Sequence, residues 1–113
     1  MSDSAWKVFH LPELLERVGG DEPCHLEYLR MPGLSSGVYR LPTGAKDMQA
    51  PHLEDEIYFV IEGKARLRVG EQEQEVGPGS ILYVQATADH SFFDVEENLT
   101  LLAFFGPIRP AYV

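Results

Sequence analysis

The sequence predicts an all-β protein, a sandwich or barrel of short strands behind one short N-terminal helix. Two observations carry this. Apolar residues alternate with polar ones in several runs, as at 64–69, where Ala65, Leu67 and Val69 share one face and Lys64, Arg66 and Arg68 the other. Turn signals also recur at roughly 8–12 residue intervals, the spacing of sandwiches and barrels. A chain of 113 residues is enough for one core and too short for two.

The first twenty residues form an extension (1–20) ahead of the β domain (21–113). Within it, residues 11–18 have Pro12 and Glu13 early, Arg17 late and Gly19-Gly20 after, the start and stop signals of a short helix. Strand-like runs follow at 24–29, 37–41, 57–62, 64–69, 74–76, 80–84, 91–95 and 99–105, so about eight to ten short strands are expected. Gly70 and the run 76–79 punctuate them as turns, and Pro107 and Pro110 mark an irregular end.

Eighteen acidic against nine basic residues give a net charge of −9, which disfavours nucleic acid and anionic membrane surfaces as partners. No apolar stretch approaches the ~20 residues of a membrane span. With Cys24 alone, no intramolecular disulfide forms, and the start of the chain lacks a secretory pattern, so a cytoplasmic location is expected. Cys24 itself reads as a small hydrophobe.

The chemistry-bearing residues are few. His52 and Glu56 lie four apart, directly before an apolar run that closes on Gly63, and His90 follows the apolar run 81–84. Imidazole and carboxylate are ligand types accepted by divalent first-row metals. The competing reading of His52 and Glu56 is an exposed polar turn, because Leu53, Glu54 and Asp55 separate them; for His90 it is a loop histidine. His10 and His25 read as structural or solvated, with His25 on the side of its strand opposite Cys24, Leu26 and Tyr28. Tyr39, Tyr58, Tyr83, Phe92 and Phe104 read mainly as core, one or two of them facing a pocket.

In their spacing these residues resemble the cupin superfamily. Its first motif is a glycine, five residues, His-x-His, three or four residues, a glutamate, six residues and a glycine. Gly44, His52, Glu56 and Gly63 fall in register, with Ala50 in place of the first histidine. The second motif is matched at Gly79 and His90, with Gln85, Thr87 and Asp94 replacing its proline, glycine and asparagine. The resemblance spans residues 37–107, and its Asp-x-Gln-x-Pro-His run looks like that of a bacterial cupin subgroup. It implies a cupin-type jelly-roll β-barrel holding one divalent metal ion (Fe, Mn, Ni or Zn) on His52, Glu56 and His90. Gln49, beside the vacant position, is the candidate fourth ligand, and Asp47 a more distant one. It further implies a homodimer that takes a small-molecule ligand or substrate, either as a metal-dependent enzyme of dioxygenase, isomerase or lyase type or as a binding or sensor module without catalysis. A purely structural role for a degraded site is the third reading.

Overall fold

The computed structural model describes residues 5–47 and 53–106. Helix α1 (Leu11–Glu16) is followed by strands β1 (Cys24–Met31), β2 (Leu34–Leu41), β3 (Asp55–Val69), β4 (Gln72–Val76), β5 (Ile81–Val84) and β6 (His90–Gly106). The all-β expectation holds. The expected eight to ten short strands are six among the described residues, because 57–62 and 64–69 are one strand, β3, and 91–95 and 99–105 another, β6. A reading by local alternation splits each of them where a bulge breaks the two-residue period.

The sheet runs β1-β2-β6-β3-β4, with β5 paired to β3, and every pairing is antiparallel. The β3–β6 pair extends from Asp55↔Gly106 to Val69↔His90, with register shifts between Val60 and Arg66. Gly63 sits in that irregular stretch at φ +102, a backbone region glycine occupies without penalty. A Cβ there would lie 2.3 Å from the Asn98 carbonyl oxygen. The glycine that ends the first motif is therefore where β3 bends against β6.

Glu56, Tyr58 and Val60 alternate onto the inner face of β3 and join Leu99, Leu101, Ala103 and Phe105 of β6 in the barrel interior, with Val84 and Phe92. The opposite face of β1 and β2 is covered by α1, whose Leu14, followed by Val18, packs with Val38, Leu26 and Leu102. Burying such a side chain is worth about 1.5–3 kcal/mol, which fixes a six-residue helix that has no side-chain N-cap. The outward basic stripe is paired with acids, Lys64 with Glu96 at 3.4 Å and Arg66 with Glu73 at 3.6 Å.

Thr87 (φ 65) and Asp94 (φ 48) are the non-glycine residues with left-handed backbone among those described. They occupy the positions where the second motif has glycine and asparagine, the two residue types that adopt this region most readily. Thr87 is the third residue of a turn closed by Ala88 N–H donating to the Gln85 carbonyl, a place that favours glycine when φ is positive. Thr87→Gly is expected to raise stability by about 1 kcal/mol, by relieving the cost of a β-branched residue in this region. Urea unfolding would read this as a higher midpoint at unchanged slope, and an unchanged or lower midpoint would contradict it.

Candidate functional site

His90 opens β6 and Glu56 lies near the start of β3, yet their side chains meet. Val84, the last residue of β5, is paired with Glu56, and the turn at 85–88 then delivers His90 to the inner face. Asp55 fixes that turn: its Oδ1 accepts the Ala86 N–H at 2.8 Å. A residue that reads as solvent-seeking in the sequence thus anchors the loop that carries the histidine.

Glu56 and His90 are 1% and 4% exposed. The His90 Nδ1 is 2.9 Å from the Ala88 carbonyl, which can only accept, so Nδ1 carries a proton and Nε2 faces the carboxylate. Nε2 lies 3.2 Å from Glu56 Oε2. The Tyr58 hydroxyl donates to the same Oε2 and is 3.1 Å from His90 Nε2. Tyr58 is the member of this cluster that its place among the core aromatics hid. The available signal was its position two residues from Glu56 on the same strand, which puts both on one face.

The hydrogen bond with Glu56 raises the pKa of His90 above the ordinary 6.5; the Ala88 carbonyl and the charges of Glu56 and Asp47 act in the same direction, and burial opposes them. Without a metal, the carboxylate beside it therefore favours the protonated imidazole more than solvent does.

The donor chemistry fits a divalent cation. Two ligands at about 2.0–2.2 Å from one ion stand roughly 3 Å apart at right angles or somewhat wider, which the Glu56–His90 separation satisfies. A histidine whose other nitrogen is tied to a backbone carbonyl is the usual form of a metal-binding imidazole. The other ligand candidates, His52 and Gln49, lie outside the described residues, as does Ala50. Asp47 is described. Its Oδ1 accepts the Tyr39 hydroxyl at 2.7 Å and its Oδ2 the Phe92 N–H at 2.9 Å, so it braces β2 against β6. Among the described residues no three His, Cys, Asp or Glu side chains converge.

The raised pKa of His90 has a consequence for metal-free protein. A group that binds its proton more tightly when folded stabilises the fold below its unfolded pKa, and that contribution disappears as pH rises through the folded value. Stability after chelation is therefore expected to be full below about pH 6.5 and to decline above it, and His90→Gln should remove the decline. Urea midpoints between pH 6 and 9 measure this, and identical pH profiles for the two proteins would contradict it.

Residues 37–105 match the family described as Cupin domain. An uncharacterised protein of Streptomyces coelicolor is 39% identical over 101 residues, covering 89% of this chain and 96% of its own length. The fold is similar to a crystal structure from Thermus thermophilus with a TM-score of 0.76 at 23% identity, over 93% of this chain and all (100%) of that one. It is also similar to the DMSP lyase DddQ from Ruegeria pomeroyi with a TM-score of 0.70 at 20% identity, over 80% of this chain and 51% of that one. At these identities the structural likenesses speak to fold alone. No helix of the described residues is long and apolar enough to cross a membrane. The family match and the S. coelicolor relative, joined to the barrel and its paired motifs, show that this chain belongs to the cupin family.

Proposed function

We propose that the chain is a metal-binding cupin acting as an enzyme on a small organic molecule, in a reaction of dioxygenase, isomerase or lyase type. The observation that carries this reading is the buried Glu56–His90 pair, with Oε2 and Nε2 at 3.2 Å and the imidazole held in one tautomer by Ala88. His52 completes the ligand set in this reading, with Gln49 beside it in the place of the missing motif histidine. When bound, the ion would polarise a substrate oxygen and stabilise negative charge developing on it. The chain's own residues do the rest. Tyr58 orients the Glu56 carboxylate through its hydroxyl. Val84 and Phe105 are the register partners of Glu56 on either side and Phe92 packs on Tyr58, a buried, low-dielectric setting that strengthens charge interactions inside it. Fold likeness to a lyase supports a reaction type by analogy only.

Elemental analysis of protein purified without a histidine tag tests the ligand set. About one divalent ion per chain is expected. His52→Ala and His90→Ala should each remove most of it, Gln49→Ala less, and affinity should fall with pH as protons compete for the imidazoles. Full stoichiometric metal in both histidine variants at neutral pH would overturn the assignment. Metal retained with no turnover of small thiols, diols or keto acids would favour a binding or sensor module instead.

A cytoplasmic homodimer is part of the same reading, supported by a single cysteine and by outward apolar side chains. Trp6 is 73% exposed, and Phe9 packs edge-on against Tyr28 with ring centroids 4.8 Å apart. The cross-strand pairs Ile57↔Tyr83 and Phe59↔Ile81 also stand open on the outer face. Uncovered apolar area of this kind marks an association surface. Sedimentation at micromolar concentration should find twice the 12.7 kDa chain mass; a monomer alone would reject the dimer.

A further inference from the structure

Three strands leave a free edge among the described residues. β1 and β4 end the path β1-β2-β6-β3-β4, and β5 pairs with β3 alone. A free edge offers unpaired N–H and C=O groups to any other strand, and soluble proteins blunt it with charges or a bulge. Two of the three edges are blunted. β4 carries Glu73 and Glu75, and β1 has a register shift between Glu27 and Leu29, beside an ion pair of Glu27 with Arg30 at 2.8 Å. β5 has neither device. Its pairing is regular from Glu56↔Val84 to Phe59↔Ile81, and residues 76–88 are the longest stretch of the chain without a charged side chain.

The register decides which backbone groups of β5 face outward. The Val60 N–H donates to the Ser80 carbonyl at 2.9 Å, so 60 and 80 are a hydrogen-bonded pair. Such pairs alternate with non-bonded ones along an antiparallel ladder. Leu82 and Val84 therefore bond to Tyr58 and Glu56, and the N–H and C=O groups of Ile81 and Tyr83 point away from β3. The side chains of these two residues are 71% and 64% exposed, on the face that also carries Ile57 and Phe59.

A strand of this pattern is complementary to itself. When two copies of β5 lie antiparallel about a twofold axis at Leu82, Ile81 stands opposite Tyr83 of the partner subunit, and Tyr83 opposite the partner's Ile81. Both are then hydrogen-bonded pairs, because the groups that face outward are those of 81 and 83. Each pair also sets an aromatic ring against a β-branched side chain, a favourable cross-strand combination. A twofold contact brings a patch against its own copy. In a chain of net charge −9, such a contact needs a patch free of charge, and β5 with its flanking turns is that patch.

We propose that β5 is the dimer interface: two copies join edge to edge through residues 81–83, continuing one sheet across a twofold axis. This rests on the homodimer reading and assigns its surface, and the experiment separates the two. Sedimentation is measured over a range of concentrations for wild type and two double variants. Ile81→Lys with Tyr83→Lys sets lysine opposite lysine across the axis. Trp6→Lys with Val8→Lys charges the exposed segment ahead of α1 instead. The first variant should weaken the dimer at least about a hundredfold, less than the burial of two apolar side chains per copy is worth. The second should stay within about threefold of wild type. Amide hydrogen exchange of the wild type, read by NMR, gives the register: Ile81 and Tyr83 should exchange more slowly as concentration rises through the dissociation constant, and Leu82 and Val84 should not change. An undiminished dimer in the first variant, or exchange at 81 and 83 that ignores dimerisation, would overturn this interface and leave the homodimer standing. A wild type that stays monomeric throughout would refute the homodimer and the interface with it. Should the first variant not fold, the exchange of the wild type decides.

Discussion

The long antiparallel pairing of β3 with β6 is the constraint on which the rest of the structure depends. From Glu56 to Val69 the strand covers about 40 Å of backbone at roughly 3.3 Å per residue. Val69 is paired with His90, yet the His90 side chain touches Glu56. Both statements hold only if the ribbon curls back over itself, and the register shifts between Val60 and Arg66 supply the bend. Gly63 makes that bend possible because any side chain there would strike the Asn98 and Leu99 backbone.

Once the ribbon is curled, the site follows from strand alternation and one turn. Glu56 and Tyr58 share the inner face because they are two residues apart, and the turn at 85–88 brings His90 beside them. The price in stability is a carboxylate and an imidazole both almost wholly buried. Such a pair gains little stability over a hydrophobic one. The hydrogen bonds that raise the pKa of His90 are also those that fix its Nε2 toward the carboxylate. A divalent cation bound there would compete with the proton for that nitrogen, the linkage that would make metal affinity pH-dependent.

The site was legible in the sequence to the extent that its residues sit at characteristic intervals along the chain. Glu56 and His90 were identified that way, and the structure brings them together. The departures from the second motif were legible as well, though their meaning was not: Thr87 and Asp94 prove to hold the left-handed backbone that the motif's glycine and asparagine adopt easily. Tyr58 and Asp55 were not legible as site or bracing residues, and Asp47, read as a distant candidate ligand, was not legible as a brace. Each acts through a partner far away in the chain, His90, Ala86 and Phe92 respectively, and no local pattern records such a pairing.

What the sequence by itself determined is the class of fold, the short helix, the inward and outward faces of 64–69, and the glutamate and histidine that the structure brings together. These depend on local periodicity and on residue chemistry at fixed spacing, both of which are written along the chain. Only the tertiary structure decided that eight to ten apparent strands are six among the described residues, and that a tyrosine joins the glutamate and histidine. Those outcomes depend on where bulges fall and on which strands become neighbours. Both are set by register across the sheet, where a shift of one residue exchanges one face for the other.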